Sequence, residues 1–249
     1  MSPFGVSLLL KPFQPQAGRW RSTWPRGSMG SCSSDFCSLV SSHFDDNVAE
    51  RDLKRYQHRG PNLTTRLLRD MVAQAGGGKT LLDVGGGIGA LSIELLTAGF
   101  EHATLVEAAP AYSAAARREA DRRGQAERMT MLQGDFATIG RTIPTADVVV
   151  MDRVVCCYPE FQPLLEEALQ HSRGLFAFSY PRDIWYIKWL AALQNAMRTF
   201  RHNAFHFMIH PAAAMEAMAA RQGFRRVRER ATFVWSVELY ARKDADLPP

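Results

Sequence analysis

Residues 81–90 of this chain read Leu81-Leu82-Asp83-Val84-Gly85-Gly86-Gly87-Ile88-Gly89-Ala90. An apolar strand runs into an acidic residue and then into a glycine-rich turn that opens a helix. Glycine lets the backbone turn sharply and approach a ligand, because no Cβ atom stands in the way. Ligands of open parallel sheets bind beyond the carboxyl ends of the strands. The segment therefore predicts a ligand site built around Asp83, Gly85 and Gly87.

Two kinds of cofactor compete for this turn. Gly85, Gly87 and Ala90 also satisfy the G-x-G-x-x-G/A pattern of dinucleotide-binding turns, so an NAD(P)-dependent oxidoreductase stays open. A carboxylate at the end of the strand faces a pyrophosphate unfavourably, whereas it suits the ammonium of a methionine-like group. Asp83 therefore favours the methionine-like ligand, and no Tyr-x-x-x-Lys motif follows in the sequence to support the oxidoreductase.

The next two strands also end in groups that suit a nucleoside. Glu107, followed by Ala108, ends the second strand, and a carboxylate there can accept hydrogen bonds from both hydroxyls of a ribose. The third strand ends in Gly134-Asp135-Phe136. Asp135 can accept from an adenine amino group and Phe136 can pack on the ring, as an adenine slot requires. Either Asp83 or Asp135 alone can equally be a cap, so the ordered set carries the prediction.

The fourth apolar strand, residues 147–151, leads to Asp152 and Arg153 at the same edge of the sheet. Both residues therefore join the predicted cofactor-binding set. Tyr158 follows shortly afterwards in a Tyr-Pro turn. It is predicted either to orient a substrate or only to pack in that turn.

Strands and helices alternate on both sides of these motifs. Apolar strands are predicted at 80–84, 102–107, 129–133, 147–151 and 175–179, with helices at 89–97, 111–123 and 161–171. This alternation predicts an α/β fold with a parallel sheet covered by helices on both faces. Segments 224–230 and 232–242 read as two further strands that form a hairpin.

The ordered motifs resemble those of the class I S-adenosylmethionine (SAM)-dependent methyltransferases. The resemblance covers about residues 53–242 and is strongest over 80–159. It implies a Rossmann-like fold with a seven-stranded, mostly parallel sheet, an antiparallel C-terminal hairpin strand and helices on both faces. It also implies SAM as the cofactor. Asp83 and the glycine turn would hold the methionine part, Glu107 the ribose, and Asp135 with Phe136 the adenine.

The implied activity is methyl transfer to a small-molecule acceptor. A weaker similarity links residues 154–159 to the segment before a Tyr-Pro in magnesium-protoporphyrin O-methyltransferases. Those enzymes carry a histidine where this chain has Cys157, and the difference removes a candidate base. A methyltransferase-like binding protein without turnover stays open as a further alternative.

Residues outside the central motifs divide the chain into three parts. Residues 1–44 are predicted to form a disordered leader, because they are rich in Ser, Pro and Gly and carry no acid before Asp35. Residues 45–76 are predicted to form an N-terminal helical lid or cap, with Tyr56 folding over the cofactor. Residues 77–249 are predicted to form the methyltransferase domain, with an aromatic helical insertion at about 184–210.

The insertion and its flanks supply candidate acceptor contacts. Its aromatic residues are more typical of a core than of a ligand box, but they lie where a substrate cover would sit: Trp185, Tyr186, Trp189, Phe200, Phe205 and Phe207. They favour an apolar or aromatic acceptor. Tyr180 and His210 flank the insertion and either contact the acceptor or serve only structure. His206 and His210 lack a third ligand nearby, so no metal site is predicted.

Composition sets the remaining expectations. The chain has 249 residues, 46% of them hydrophobic, and a net charge of +5, which fits one α/β domain with a small appendage. Its basic residues are spread along the chain, so no nucleic-acid partner is expected. Its apolar runs are too short to span a membrane. Its four cysteines do not suggest a disulfide framework, which favours a cytoplasmic location. Its oligomeric state is not indicated.

Overall fold

The computed structural model of the chain describes residues 35–76, 78–201, 203 and 205–244. The strands are β1 (Thr80–Val84), β2 (His102–Glu107), β3 (Met129–Gln133), β4 (Ala146–Asp152), β5 (Ser172–Pro181), β6 (Phe224–Ala231) and β7 (Trp235–Arg242). The α-helices are α1 (Asp35–His43), α2 (Asp46–Arg59), α3 (Leu63–Ala75), α4 (Ala90–Thr97), α5 (Pro110–Arg122), α6 (Phe136–Ile139), α7 (Phe161–His171), α8 (Trp185–Phe200) and α9 (Ala212–Arg221).

The strands form one seven-stranded sheet in the order β3-β2-β1-β4-β5-β7-β6. Strands β1 to β5 pair in parallel, whereas β7 runs antiparallel to both β5 and β6. The chain moves outward from β1 to β3 and then returns to the other side of β1 with β4. This reversal of strand order opens a crevice at the carboxyl ends of β1 and β4, where such sheets bind ligands. The predicted sheet is confirmed.

Helices cover both faces because successive strand residues point to opposite sides. Leu81 and Leu105 pack in one core with helices α3, α4 and α5. Leu82 and Phe176 pack in a second core with helices α7 and α9. None of the helices in the described ranges is long and apolar enough to cross a membrane.

Helix α1 corrects the predicted boundary of the leader. Residues 35–43 are helical, and Cys37 and Val40 are buried against Leu53 of α2, with Phe44 packed beside them. The spacing of these apolar side chains places them on one face of the helix, so the segment gains a packing partner. Residues 1–34 lie outside the described residues.

Helices α2 and α3, predicted to form one cap, have different surroundings. The side chain of Asp45 caps α2 and that of Asn62 caps α3, each accepting from a backbone N–H near the start of its helix. Leu68 and Val72 of α3 are fully buried in the core beneath the sheet. Helix α3 is therefore part of the helix layer, although its first turn, like α2, also borders the crevice through Thr65 and Arg66.

Candidate functional site

A cavity of about 560 Å³ lies at the carboxyl ends of the central strands. Its volume is in the range of small-molecule sites. Its wall contains most of the predicted cofactor-binding set: Tyr56, Asp83, Gly85, Gly87, Glu107, Ala108, Gly134, Phe136, Asp152 and Arg153. The crevice between β1 and β4 thus brings together residues that are far apart in sequence.

Asp83 is the most unusual group in this wall. Its side chain is fully buried, and Oδ2 accepts a hydrogen bond from the Ser92 hydroxyl at 2.7 Å. Its other oxygen, Oδ1, has no hydrogen-bond partner among the described residues. Burial, aided by the nearby charges of Asp152 and Glu107, raises the pKa of Asp83 to about 7. A buried carboxylate oxygen without a donor is costly, so the site is suited to a cationic ligand.

The glycine turn leaves room for this carboxylate and for a ligand. Gly85 has a φ of 64°, and a Cβ there would approach Val154 Cγ2 to 2.7 Å. A Cβ on Gly86 would lie 2.8 Å from Asp83 Oδ2 and from the side chain of Leu105. Gly86 was absent from the predicted set, although it is the middle glycine of the triplet. Its lack of a side chain lets Asp83 keep its position.

Glu107, at the end of the neighbouring strand β2, holds the glycine turn in place through hydrogen bonds. Its Oε2 accepts from the backbone N–H of Gly87 and its Oε1 from that of Ala109, both at 2.8 Å. Burial raises the pKa of Glu107, while these backbone donors lower it. Each carboxylate oxygen has a second lone pair, so the group can also accept from two hydroxyls.

Asp135 serves as a cap and as an anchor for Tyr158. It accepts from the backbone N–H of Ala137 at 3.1 Å and from the Tyr158 hydroxyl at 2.7 Å. Gly134, Phe136 and Tyr158 line the cavity, whereas the Asp135 side chain is not part of the wall formed by the described residues. Burial, together with Asp135, raises the pKa of Tyr158 well above its usual value. Tyr158 is therefore a neutral phenol that is suited to orienting a ligand, not to removing a proton.

Asp152 and Arg153 follow β4 at the centre of the crevice. The two oxygens of Asp152 accept from the hydroxyls of Thr65 and Ser179, both at 2.6 Å. Arg153 has a φ of 62°, a conformation uncommon for a residue with a side chain and often found at functional sites. Its guanidinium lies 6.0 Å from the ring centre of Trp235.

Tyr56 reaches the cavity from α2. Its hydroxyl donates to Glu94 at 2.9 Å, and the guanidinium of Arg123 lies 5.2 Å from its ring centre. The phenol is thus tied to α4 and α5 while its ring contributes to the cavity wall. The ring therefore lies in the cavity wall, and its role over a cofactor stays a prediction.

Tyr180 and His210 were predicted to contact the acceptor, but neither belongs to the cavity wall as the described residues form it. The hydroxyl of Tyr180 donates to the buried carboxylate of Glu238 at 2.7 Å. Side chains alternate along β5, so Ser179 faces the crevice and Tyr180 faces the opposite core. His210 Nε2 lies 2.9 Å from the carbonyl oxygen of Tyr158. It therefore supports the loop that carries Tyr158 without reaching the cavity.

A further set of wall residues is aromatic or basic: His43, Phe44, Arg198, Phe205, Phe207 and Trp235. The ring of His43 stacks on Phe205 with centres 4.0 Å apart. Burial, followed by the charge of Arg198, lowers the pKa of His43. The side chain of Asn195 in α8 bonds both backbone groups of Phe207 and so fixes this part of the wall. His43 and Phe44 were missed because their segment was assigned to the leader.

Within residues 35–76, 78–201, 203 and 205–244, no three His, Cys, Asp or Glu side chains are grouped to hold a metal ion.

Comparison with known families identifies the domain. The sequence matches the family described as methyltransferase domain over residues 56–229. The chain belongs to this family. The match begins at Tyr56 and ends within β6, so the methyltransferase domain includes β1, β2 and β4 with their cavity-forming ends. No curated protein matches the sequence.

Solved methyltransferase structures share the fold of this methyltransferase domain. Magnesium protoporphyrin IX methyltransferase from Synechocystis PCC 6803, with bound SAH, has a TM-score of 0.66 at 16% identity, covering 83% of this chain and 99% of that chain. An O-methyltransferase family protein from Burkholderia thailandensis has a TM-score of 0.67 at 13% identity, covering 84% and 63%. Human N-acetylserotonin methyltransferase, in complex with SAM, has a TM-score of 0.60 at 15% identity, covering 82% and 59%. The predicted class I methyltransferase fold is confirmed.

Proposed function

We propose that this methyltransferase domain moves a methyl group from SAM to a small-molecule acceptor that is apolar or aromatic. The observation that carries the proposal is Asp83, a buried carboxylate in the cavity wall with one oxygen that receives no hydrogen bond from the described residues. A ligand that brings an ammonium group satisfies that oxygen, whereas a pyrophosphate would add a second negative charge beside it. Asp83 therefore favours SAM over NAD(P).

The remaining wall residues fit the other parts of SAM. Glu107 is proposed to accept from the ribose hydroxyls, because its oxygens keep free lone pairs beside Gly87 and Ala109. Gly134 and Phe136 are proposed to hold the adenine, with Asp135 shaping their loop through its bond to Tyr158. When bound, SAM supplies a methyl group already activated on a sulfonium. SAM or SAH in related structures supports this assignment.

The task left to the protein is alignment of the acceptor and exclusion of water. Phe44, Phe205, Phe207 and Trp235 offer an aromatic wall for a flat or apolar acceptor. The Tyr158 hydroxyl donates a hydrogen bond to Asp135, and the hydroxyl oxygen can in turn accept a hydrogen bond from the methyl acceptor. A small molecule fits this cavity better than a nucleic acid, which binds extended basic surfaces.

Calorimetric titration of the full-length protein with SAM and, separately, with NAD⁺ tests the proposal. We expect SAM to bind in the micromolar range and NAD⁺ to give no heat of binding. NAD⁺ binding without SAM binding would establish the oxidoreductase instead. Incubation with SAM and a panel of aromatic and apolar acceptors should then yield SAH, whereas binding without any turnover would support the non-catalytic alternative.

Cofactor affinity should depend on pH through Asp83. Its pKa of about 7 in the ligand-free protein means that an acidic solution protonates the group that must pair with an ammonium. We expect the association constant for SAM to be level above pH 7 and to fall about tenfold per pH unit below it. Titrations across this range in wild type and in Asp83→Asn test the origin of the effect, because the variant should show a flat profile. A wild-type profile that is flat below pH 7 would contradict the prediction.

Asp83 should also make the stability of the folded protein depend on pH, but in the direction opposite to its effect on SAM affinity. Its pKa of about 7 lies above the ordinary value of 3.8, so the folded protein holds this proton more tightly than the unfolded chain does. The resulting stabilisation is complete below pH 3.8 and is lost as pH rises through about 7. Asp83 alone therefore makes the ligand-free protein more stable at the pH where it binds SAM less well.

A matched pair of tyrosine variants distinguishes a residue of the cavity wall from a residue of the core. Tyr158 and Tyr180 each donate to a carboxylate at 2.7 Å, but only Tyr158 lines the cavity. We expect each Tyr→Phe change to lower the free energy of unfolding by about 1 kcal/mol, measured by urea denaturation. Tyr158→Phe should also weaken SAM binding several-fold, because Asp135 loses its partner. Weaker SAM binding by Tyr180→Phe would show that Tyr180 also contributes to the site.

A further inference from the structure

Helix α8 presents an apolar stripe to solvent. Trp185 is 80% exposed, Trp189 is 63% exposed and Phe200 is 87% exposed. Leu190, Leu193 and Met197 are also exposed along the same helix. Large apolar side chains that cluster on a surface mark a site of interaction, whereas single ones are ordinary. Trp185, Trp189 and Phe200 belong to the aromatic set that was interpreted as core or as a substrate cover, and the structure places these three outside the core.

The stripe lies on the side of α8 that faces away from the protein. At about 100° per residue, these six side chains fall within about 140° of the helix circumference. Ile187 and Ala191 are buried on the opposite side, where Arg198 and Asn195 contact the segment that lines the cavity. Helix α8 is therefore apolar on its outer face, whereas its inner face combines Ile187 and Ala191 with the polar contacts of Arg198 and Asn195.

The β6–β7 hairpin extends this apolar surface. Phe233 at the hairpin turn is 69% exposed, and its ring lies 5.5 Å from that of Tyr186 in α8. Trp185, Tyr186, Trp189, Leu190 and Phe233 together border a shallow groove. Two separate elements thus contribute to one surface, which we call the α8 face.

Charges around the α8 face have one predominant sign. The sequence contains no Asp or Glu between Ile184 and Met215, whereas Lys188 lies on the helix and Arg201 directly after it. Asp183, just before the helix, pairs with Lys188 at 2.6 Å. At the helical angle, Lys188 and Arg201 flank the apolar stripe on its two sides. The face combines exposed tryptophans with a basic border.

We propose that the α8 face docks on an anionic lipid bilayer. A helix with Trp, Phe and Leu on one side and basic residues beside them lies in the plane of a membrane interface. Indole rings favour the headgroup region, and each basic residue near an anionic surface adds attraction. A second copy of the chain fits less well, because a two-fold contact would bring the same basic border against itself. This inference does not depend on the identity of the acceptor.

Vesicle sedimentation of the full-length protein tests the docking. We expect binding to phosphatidylcholine vesicles that contain phosphatidylglycerol, and much weaker binding to phosphatidylcholine alone or at high salt. The double variant Trp185→Ser/Trp189→Ser should bind the anionic vesicles at least about tenfold less well. Leu63→Ser is the matched control, since Leu63 is 48% exposed on α3 and does not border the groove of the α8 face, and its loss should leave binding unchanged.

Fluorescence quenching gives a second readout that does not rely on affinity. Brominated lipids should quench the wild-type tryptophan emission, and the quenching should be lost in the double variant although Trp20, Trp24 and Trp235 remain. Unchanged vesicle binding by the double variant would overturn the proposal. So would a wild-type dimer in sedimentation velocity that dissociates in the double variant without any vesicle binding. Vesicle binding that appears only after deletion of residues 1–34 would make that segment the occupant instead.

Discussion

Asp83→Asn is expected to raise the dissociation constant for SAM by about 100-fold near neutral pH. The change keeps the size of the side chain and its bond with Ser92, but it removes the charge that is proposed to pair with the ammonium of SAM. Hydrogen bonds to charged groups contribute up to about 3 kcal/mol, and tenfold in affinity corresponds to about 1.4 kcal/mol. Calorimetric titration of wild type and variant measures the difference.

The Asp83 variant is expected to fold at least as stably as wild type. Its carboxylate is buried without a cationic partner, so neutralising it removes a desolvation cost from the ligand-free protein. Asp121→Asn serves as the control, since Asp121 is exposed on α5 and does not line the cavity. Unchanged SAM affinity in a folded Asp83→Asn protein would remove the central support for the proposed function.

Gly86→Ala is expected to weaken SAM binding by more than tenfold and to lower the free energy of unfolding by about 2 kcal/mol. The added Cβ would meet Asp83 Oδ2 and the side chain of Leu105 at 2.8 Å, closer than packed atoms approach each other. Because Leu105 is fully buried, relief of this contact must displace Asp83 or the turn itself. Urea denaturation and SAM titration measure the two effects.

Gly174→Ala is the matched control for the Gly86 variant. A Cβ on Gly174 in β5 would meet only the backbone oxygen of Asp147, at an ordinary distance of 3.4 Å. Both changes restrict the unfolded chain equally, so the difference between them isolates the contact with Asp83 and Leu105. Equal stability and equal SAM affinity in the two variants would show that the turn relaxes without cost.

The central sheet could be predicted because its signals are local. Each parallel strand is a short apolar run, and its carboxyl end is marked by the residue type that follows. Strand ends of a parallel sheet meet at one edge, so Asp83, Glu107 and Gly134 could be assigned to one site before their distances were known. The order of the strands was not predicted, because it depends on which strands pair and not on the residues within each strand.

Residues away from the ends of the central strands were harder to place. Tyr180 was assigned to the acceptor site because it follows a strand, but β5 extends to Pro181, and alternation turns this side chain towards Glu238. His43 and Phe44 follow a polar leader in sequence, and contacts with the distant residues Phe205 and Tyr112 bring them to the cavity. The aromatic pattern of α8 did not reveal that Trp185 points outward. In each case the position of the side chain is determined by residues that are distant in sequence.

Asp83 Oδ1, which receives no hydrogen bond from the described residues, has a consequence for the measured enthalpy of SAM binding. With a pKa of about 7, the ligand-free carboxyl is close to half protonated in neutral solution. Pairing with an ammonium favours the ionised form, so each SAM that binds should expel part of a proton into the solvent. The buffer takes up that proton with its own enthalpy of ionisation. The heat of SAM binding measured in Tris should therefore differ from that measured in phosphate, although the affinity at that pH is the same.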